Sequence, residues 1–406
     1  MSRFNTQTSH PLIPNSQEYT FEQQHISVHS EDRNMLKYPN PSEFEIELPQ
    51  DYLNVQGFRL VSGFFPAKIN TFSKDKKNVT MTFTITDPYN PSDHGSTDAD
   101  QIAIYTTLSA YTSNYVVLIE DGTYTPAQMR SEIENKMNAA VTDLLLGTSS
   151  TLTPTQKTTL EAAGGYTEFV VTYNVLNRRL WIGNTSSAFE LTNTYVARYE
   201  ESTGVCLCDG SDALPAFKDW GLPGYLGFTR CDETSTQLLA PNDARFYYLP
   251  GQSGIWLQPN SVLPGATAHY IQAPMQLSID PPPYIYMETR ILNSMDETAP
   301  YNYSKFTQET NQTNGVVKAA FAKIPMNSSI EGFNYYEELN VANNFKIYNP
   351  PVERIRKLSI RFRHHNGMLV DFGNADYTFT LELTIMRPNN NRAYNMRVPE
   401  SISNNF

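Results

Sequence analysis

Charge is scarce in this sequence: 18% of its residues are charged, against about 25% in a typical soluble protein. Positive charge is scarcer still, with 30 Lys and Arg against 42 Asp and Glu for a net −12 at pH 7. The chain as a whole therefore repels nucleic-acid phosphate, which disfavours a general nucleic-acid role. Long apolar runs are missing. The longest are of the order of Val116-Val117-Leu118-Ile119, far short of the ~20 residues of a spanning helix, so no membrane span is expected. The opening Met1-Ser2-Arg3-Phe4-Asn5-Thr6 lacks the basic cap and apolar stretch of a signal peptide, and synthesis in the cytosol is the expectation. On that route the sequons at Asn78, Asn184, Asn302, Asn311 and Asn327 stay unmodified. Cysteine is rare too: Cys206, Cys208 and Cys231 have no obvious fourth partner for a zinc site and read as small reduced thiols.

What the sequence does have is aromatic area. Phe, Trp and Tyr make up 12% of 406 residues, enough apolar surface to exclude a disordered acidic chain, and the length suggests two or three structural units. Between polar ends the dominant signal is alternation with period two, the mark of strands with one buried face. It runs through Phe44-Glu45-Ile46-Glu47-Leu48, where Pro49 is expected to stop the strand, through Gly57 to Pro66 and through Val79 to Thr86. Residues 87–100 are rich in Pro, Asp and Ser and read as a loop. Thr125-Pro126-Ala127-Gln128 and Thr153-Pro154-Thr155-Gln156 each carry a capping residue, a helix-starting proline and a Gln that can reach back. These open the two main helices expected, the first with Met129, Ile133, Met137 and Val141 on one face. Phe169 to Leu191 reads as a three-part meander. Leu358, Ile360 and Phe362 alternate with Ser359, Arg361 and Arg363, and Asn366-Gly367 fits a two-residue hairpin turn. An unbroken alternation from Tyr377 to Ile385 follows.

The fold class expected is mainly β, an antiparallel β-sandwich of jelly-roll type, one interrupted or two, with an inserted α+β subdomain carrying the two main helices. In residues, this gives an extended N-terminal arm (1–20), a first sandwich part (21–104), the inserted subdomain (105–249), a proline-rich connection (250–283), a C-terminal sandwich part (284–387) and a tail (388–406).

Scans for chemistry find no phosphate loop, no dinucleotide fingerprint, no nucleophile elbow and no His-Glu-x-x-His. His25 and His29 sit in a stretch whose β-branched residues favour a strand, which argues against a metal pair on one helix face. His364-His365 reads as exposed turn residues, and Asp371 with Asp376 as solvated loop carboxylates. Arg354, Arg356, Lys357, Arg361 and Arg363 form the one basic concentration, read first as a solvated strand face, then as a strip for a protein partner, and least as a nucleic-acid contact, since Phe362 belongs to the opposite, core-facing set. No catalytic residue, metal or cofactor is expected.

Three blocks resemble minor capsid, or virion-associated structural, proteins of nucleocytoplasmic large DNA viruses. The first is Ser30-Glu31-Asp32-Arg33-Asn34 with Tyr38 to Pro49 and Val55 to Pro66. The second is Asp121 to Thr125 with its helix, the meander and Leu226-Gly227-Phe228. The third is Leu358 to Phe362, Asn366-Gly367, Val370 to Phe372 and Tyr377 to Ile385. The likeness implies a non-enzymatic virion protein, made in the host cytoplasm, that lies on the inner side of the shell and cements capsomers. Its implied partners are the major capsid protein and other minor capsid proteins. No small-molecule substrate, no nucleic acid and no membrane span are implied, although an internal viral membrane could lie nearby. Aromatics surplus to any core, together with arginines of the first and third blocks, are then the interface candidates: Phe4, Tyr19, Arg33, Tyr301, Tyr303, Arg361, Arg363, Tyr394 and Phe406. The alternative is a glycan-binding β-sandwich that stacks sugars on Trp220 or Trp256.

Overall fold

A computed structural model of the chain describes residues 19–388 apart from 68, 75, 77, 194–220, 230, 241–244, 247–253, 291, 298–319, 328–332, 338–344, 366–368 and 374. In chain order the strands begin with β1 (Tyr19–His29), β2 (Glu43–Pro66), β3 (Thr80–Asp87), β4 (Tyr115–Leu118), β5 (Phe169–Asn174), β6 (Arg179–Asn184) and β7 (Ala188–Leu191). They continue with β8 (Glu233–Thr234), β9 (Thr236–Gln237), β10 (His269–Gln272), β11 (Tyr284–Thr289), β12 (Ala322–Pro325), β13 (Phe333–Glu337), β14 (Lys346–Arg363) and β15 (Thr378–Pro388). The α-helices are α1 (Ala99–Ala110), α2 (Pro126–Leu146), α3 (Pro154–Ala162) and the single turn α4 (Leu222–Leu226).

The fold is mainly β and antiparallel, of the β-sandwich or jelly-roll type, with its large sheet curled as a half-barrel. The described residues form two compact units, one from the segments up to Lys68 and from Pro283 on, the other from Ile69–Pro282. The inserted unit is thus longer than the 105–249 expected. Its added strand β3 pairs with β4 and β7 rather than with β1 or β2. The proline-rich stretch is not a mere connection either: residues 265–273 are free of proline, and there β10 lies between β6 and β9.

In the first unit seven strands form one sheet in the order β1-β15-β2-β14-β11-β12, with β13 also on β2. The two strands expected around Pro49 are one strand of 24 residues. Its register against β14 jumps between Glu47 and Tyr52, so Pro49, which has no N–H to donate, falls where the ladder is already interrupted. On the core side Phe65, Phe362, Tyr377 and Phe379 form a ring cluster, with Phe362 5.1 Å from Tyr377 and 5.5 Å from Phe65 between centroids. Arg363 bridges Leu369, one residue away from the pairing that a two-residue Asn366-Gly367 turn imposes. The turn itself lies outside the described residues.

The second unit holds two four-stranded sheets, β5-β6-β10-β9 and β4-β3-β7-β8. The third strand of the expected meander leaves its hairpin and joins β3 instead. Both capping boxes form: Thr125 Oγ1 accepts from Gln128 N, whose Oε1 accepts from Thr125 N at 2.9 Å, and Thr153 with Gln156 repeats it. Helix α2 buries Met129, Ile133, Met137, Val141 and Leu145 against a core that includes Phe83, Phe169 and Phe189. A third substantial helix, α1, was not expected. Asp98 caps it, only Thr107 and Leu108 are buried, and Thr106 and Thr107 donate back to carbonyls one turn earlier. Its Ile, Thr and Tyr content gives no apolar stripe to read.

Truncating Met137 to Ala, at a site with no solvent exposure, is expected to destabilise this unit by about 2 to 5 kcal/mol. Calorimetric melting checks it, with Leu176→Ala at an exposed turn as the control that leaves the transition in place.

Candidate interaction face and its buried charges

A single-residue bulge turns an aromatic side chain outward. Thr380 pairs with Ser62 but Leu381 with Leu60, which leaves Val61 unpaired. Before it Phe58 and Leu60 face the core, and after it Gly63 and Phe65 do, so Phe64 points to the solvent face. Across that face His29, Thr378, Phe64 and Tyr335 stand in one row and Ser27, Thr380, Ser62 and Glu337 in the next. Phe64 is 48% exposed, Tyr335 55% and Phe333 52%, and the rings of Phe64 and Tyr335 lie 4.9 Å apart. Beside them is a groove of about 310 Å³. Phe64, Phe333, Tyr377 and Thr378 line it, and its other lining groups are His29, Glu31 and Asp376.

Farther along the same face the outward alternation is interrupted by a buried charge. Glu382, 4% exposed, accepts from Arg59 Nε at 3.0 Å and Nη2 at 2.8 Å, and His25 Nε2 lies 3.4 Å away. The Phe345 ring covers Gly57 so closely that a Cβ there would lie 2.7 Å from it, a space only glycine leaves open.

The two arginines placed on an outward strip separate. Arg361 keeps a partly exposed side chain 3.8 Å from Glu288 Oε2. Arg363 is fully buried, clamped between Glu288 and Glu297, and its Nη1 donates to His364 O at 3.2 Å. Strand pairing contributes: β11 sets Tyr286 opposite Arg363 and Glu288 opposite Arg361, so the Tyr286 ring and the Glu288 and Glu297 carboxylates enclose Arg363 while Arg361 on the same face stays partly exposed. Burial works against the guanidinium charge, yet Glu297 and Glu288 more than offset it and hold its pKa above the ordinary value. Tyr286, whose ring lies 4.9 Å from Arg363, is pushed up to about 12 by burial and then by Glu297. His365 Nδ1 is 3.0 Å from Glu297 Oε1, and His364 is buried rather than an exposed turn residue.

Arg33 is also paired within the chain, with a side chain only 9% exposed. It donates to the carbonyls of Ser30, Tyr38 and Pro39 at 2.6, 3.1 and 3.4 Å and sits 3.5 Å from Asp376, which staples the loop between β1 and β2. Tyr19 opens β1 opposite Pro388. Phe4, Tyr301, Tyr303, Tyr394 and Phe406, with Trp220, lie outside the described residues. Of the exposed aromatics, Phe64, Phe333 and Tyr335 neighbour one another; they were not singled out, because the direction of Phe64 depends on the bulge and that of Phe333 and Tyr335 on how β13 pairs with β2.

Among the described residues no group of three or more His, Cys, Asp or Glu could hold a metal ion. Asp371 accepts from Gly373 N at 2.8 Å and Asp376 from Ser30 Oγ at 2.9 Å. Trp256 stacks on Phe246 and meets Trp181 edge to face with centroids 6.0 Å apart, so it packs in a cluster instead of offering a free platform. No described helix is long and apolar enough to cross a membrane.

Comparison with known proteins adds three findings. A model of a family of unknown function (DUF5901) matches residues 11–350. No curated protein matches. Among solved structures, the selenomethionine-labelled penton protein of mavirus is similar at 10% identity and a TM-score of 0.37, over 91% of this chain and 100% of that one.

Replacing Arg363 with Met leaves two carboxylates in a buried site, and a loss of about 3 to 5 kcal/mol is expected. Adding Glu288→Gln and Glu297→Gln recovers part of it. Urea unfolding followed by tyrosine fluorescence measures both, and an Arg363→Met protein as stable as the parent contradicts the clamp.

Proposed function

The chain belongs to the family of unknown function (DUF5901), and from that premise we propose that it is a non-enzymatic structural component of a large icosahedral virus particle. In this reading it is a minor capsid protein that cements capsomers through aromatic contacts and sheet edges. Its partners are the major capsid protein and other minor capsid proteins. It acts in the virion on the inner side of the shell, after synthesis in the host cytoplasm.

The observation that carries the reading is the exposed aromatic corner of Phe64, Phe333 and Tyr335 on a sheet whose buried charges are paired internally. Aromatics held by a rigid sheet are the residues that anchor protein interfaces, because they bring large area at little entropic cost. Strand β1 supports it from the edge. It holds an unbroken 11-residue register against β15, and Tyr-Thr-Phe-Glu-Gln-Gln-His-Ile-Ser-Val-His contains neither the lysine nor the proline that commonly guards a free edge. The resemblance of the three sequence blocks points the same way. An enzymatic role would ask for a constellation of unpaired groups, and the carboxylates weighed for that part are tied into turns and loops.

Mass spectrometry of gradient-purified particles is expected to find the chain, with crosslinks to the major shell protein that originate near Phe64 and Phe333. Particles that lack the chain would overturn the proposal.

A further inference from the structure

The groove beside Phe64 combines aromatic walls with two carboxylates, of which Asp376 also meets Arg33 at 3.5 Å. Its aromatic walls are Phe64 and Phe333, both about half exposed. Its ionisable lining groups are the carboxylates Glu31 and Asp376, the His29 imidazole and the Tyr377 phenol, and no lysine or arginine is among the described lining residues. The nearest arginine, Arg33, directs its guanidinium at three backbone carbonyls and Asp376 and has a side chain only 9% exposed. Glu31 is exposed on the short 3-10 turn that follows β1. An apolar cleft rimmed by negative charge fits one chemistry best: an aliphatic stem that ends in a positive group. Ring faces attract such a group through their quadrupole, and the carboxylates pair with it.

We propose that this groove receives a lysine or arginine side chain from an extended segment of a protein partner. The inference rests on the interaction role proposed above and deepens it by naming the partner's chemistry. The stem packs between Phe64 and Phe333, the charged head meets Glu31 and Asp376, and Thr378 at the start of β15 closes one side. The cavity, about 310 Å³, is at the small end of the range for ligand sites, which suits a side chain better than a cofactor. Along β1 and β15 the corner lies at the end opposite to Tyr19 and Pro388.

Fluorescence anisotropy with the full chain and a fluorescein-labelled peptide of alternating Lys and Ser tests it. The variant Phe333→Ala/Glu31→Gln, changed only at exposed positions, is expected to lose about tenfold in affinity. A peptide of alternating Glu and Ser is expected not to bind. Glu353→Gln, an exposed carboxylate on β14, controls for net charge and is expected to bind as the parent does. Phe64→Ala serves as the second variant should the first lose its circular dichroism. Equal binding by parent and groove variants, or equal loss with Glu353→Gln, overturns the groove. Groove-dependent binding by a chain absent from particles overturns the capsid reading alone, and a chain found in particles without such binding overturns the groove alone.

Discussion

Strand β2 carries neighbours on both edges, and they come from the far end of the chain: β15 on one side, β14 and β13 on the other. The pairing of Arg59 with Glu382 spans 323 positions. Closing such a loop costs little more free energy than closing a shorter one, because the cost grows only logarithmically, but it slows the search for register. A one-residue slip would send every alternate side chain of β15 to the wrong face. Glu382 penalises that slip in particular, since off register its carboxylate would lose the two-pronged Arg59 contact or enter the Phe379 and Leu381 core. The Arg363 clamp does the same for β11 against β14. Both buried charge sites thus tie particular residues of one strand to particular residues of its neighbour.

The inserted unit obeys the opposite logic. Strands β5 and β6 pair across a turn, and α2 packs on β5 through contacts such as Asn138 Nδ2 donating to Phe169 O at 2.9 Å. Its helix starts and its first hairpin are local, which is why the capping boxes at Thr125 and Thr153 and the face from Met129 to Val141 were legible in the sequence. The alternation from Tyr377 to Ile385 was legible for the same reason: each position needs only its neighbours two away. Illegible features were those set by a distant partner. Pro49 looks like a stop until β14 is seen to skip the residues around it. Arg363 looks solvated until β11 covers it. The third strand of the meander looks like a hairpin partner until β3 takes it. Helix α1 is a different failure, a segment of β-favouring residues held helical by its Asp98 cap and by Thr107, whose hydroxyl lies 2.8 Å from that of Thr151.

The aromatic corner follows from these same constraints. A run as continuously apolar as Gly57 to Pro66 cannot bury every side chain on one face of a single sheet, and a regular alternation would keep Phe58, Leu60 and Phe64 together on the core side. The Val61 bulge splits them, giving the core Phe65, with centroids 5.5 Å from Phe362 and 5.7 Å from Tyr377, and giving the surface Phe64. At position 64 the side chain is about half exposed, and its ring packs on Tyr335 with centroids 4.9 Å apart. Tyr335 and Phe333 face outward on β13 with it, each a little over half exposed. Three neighbouring outward positions are thus filled with rings, and scarce charge sharpens the contrast. With Glu382 paired to Arg59 and Arg363 clamped by Glu288 and Glu297, what this corner of the sheet presents outward is ring surface bordered by Glu31 and Asp376.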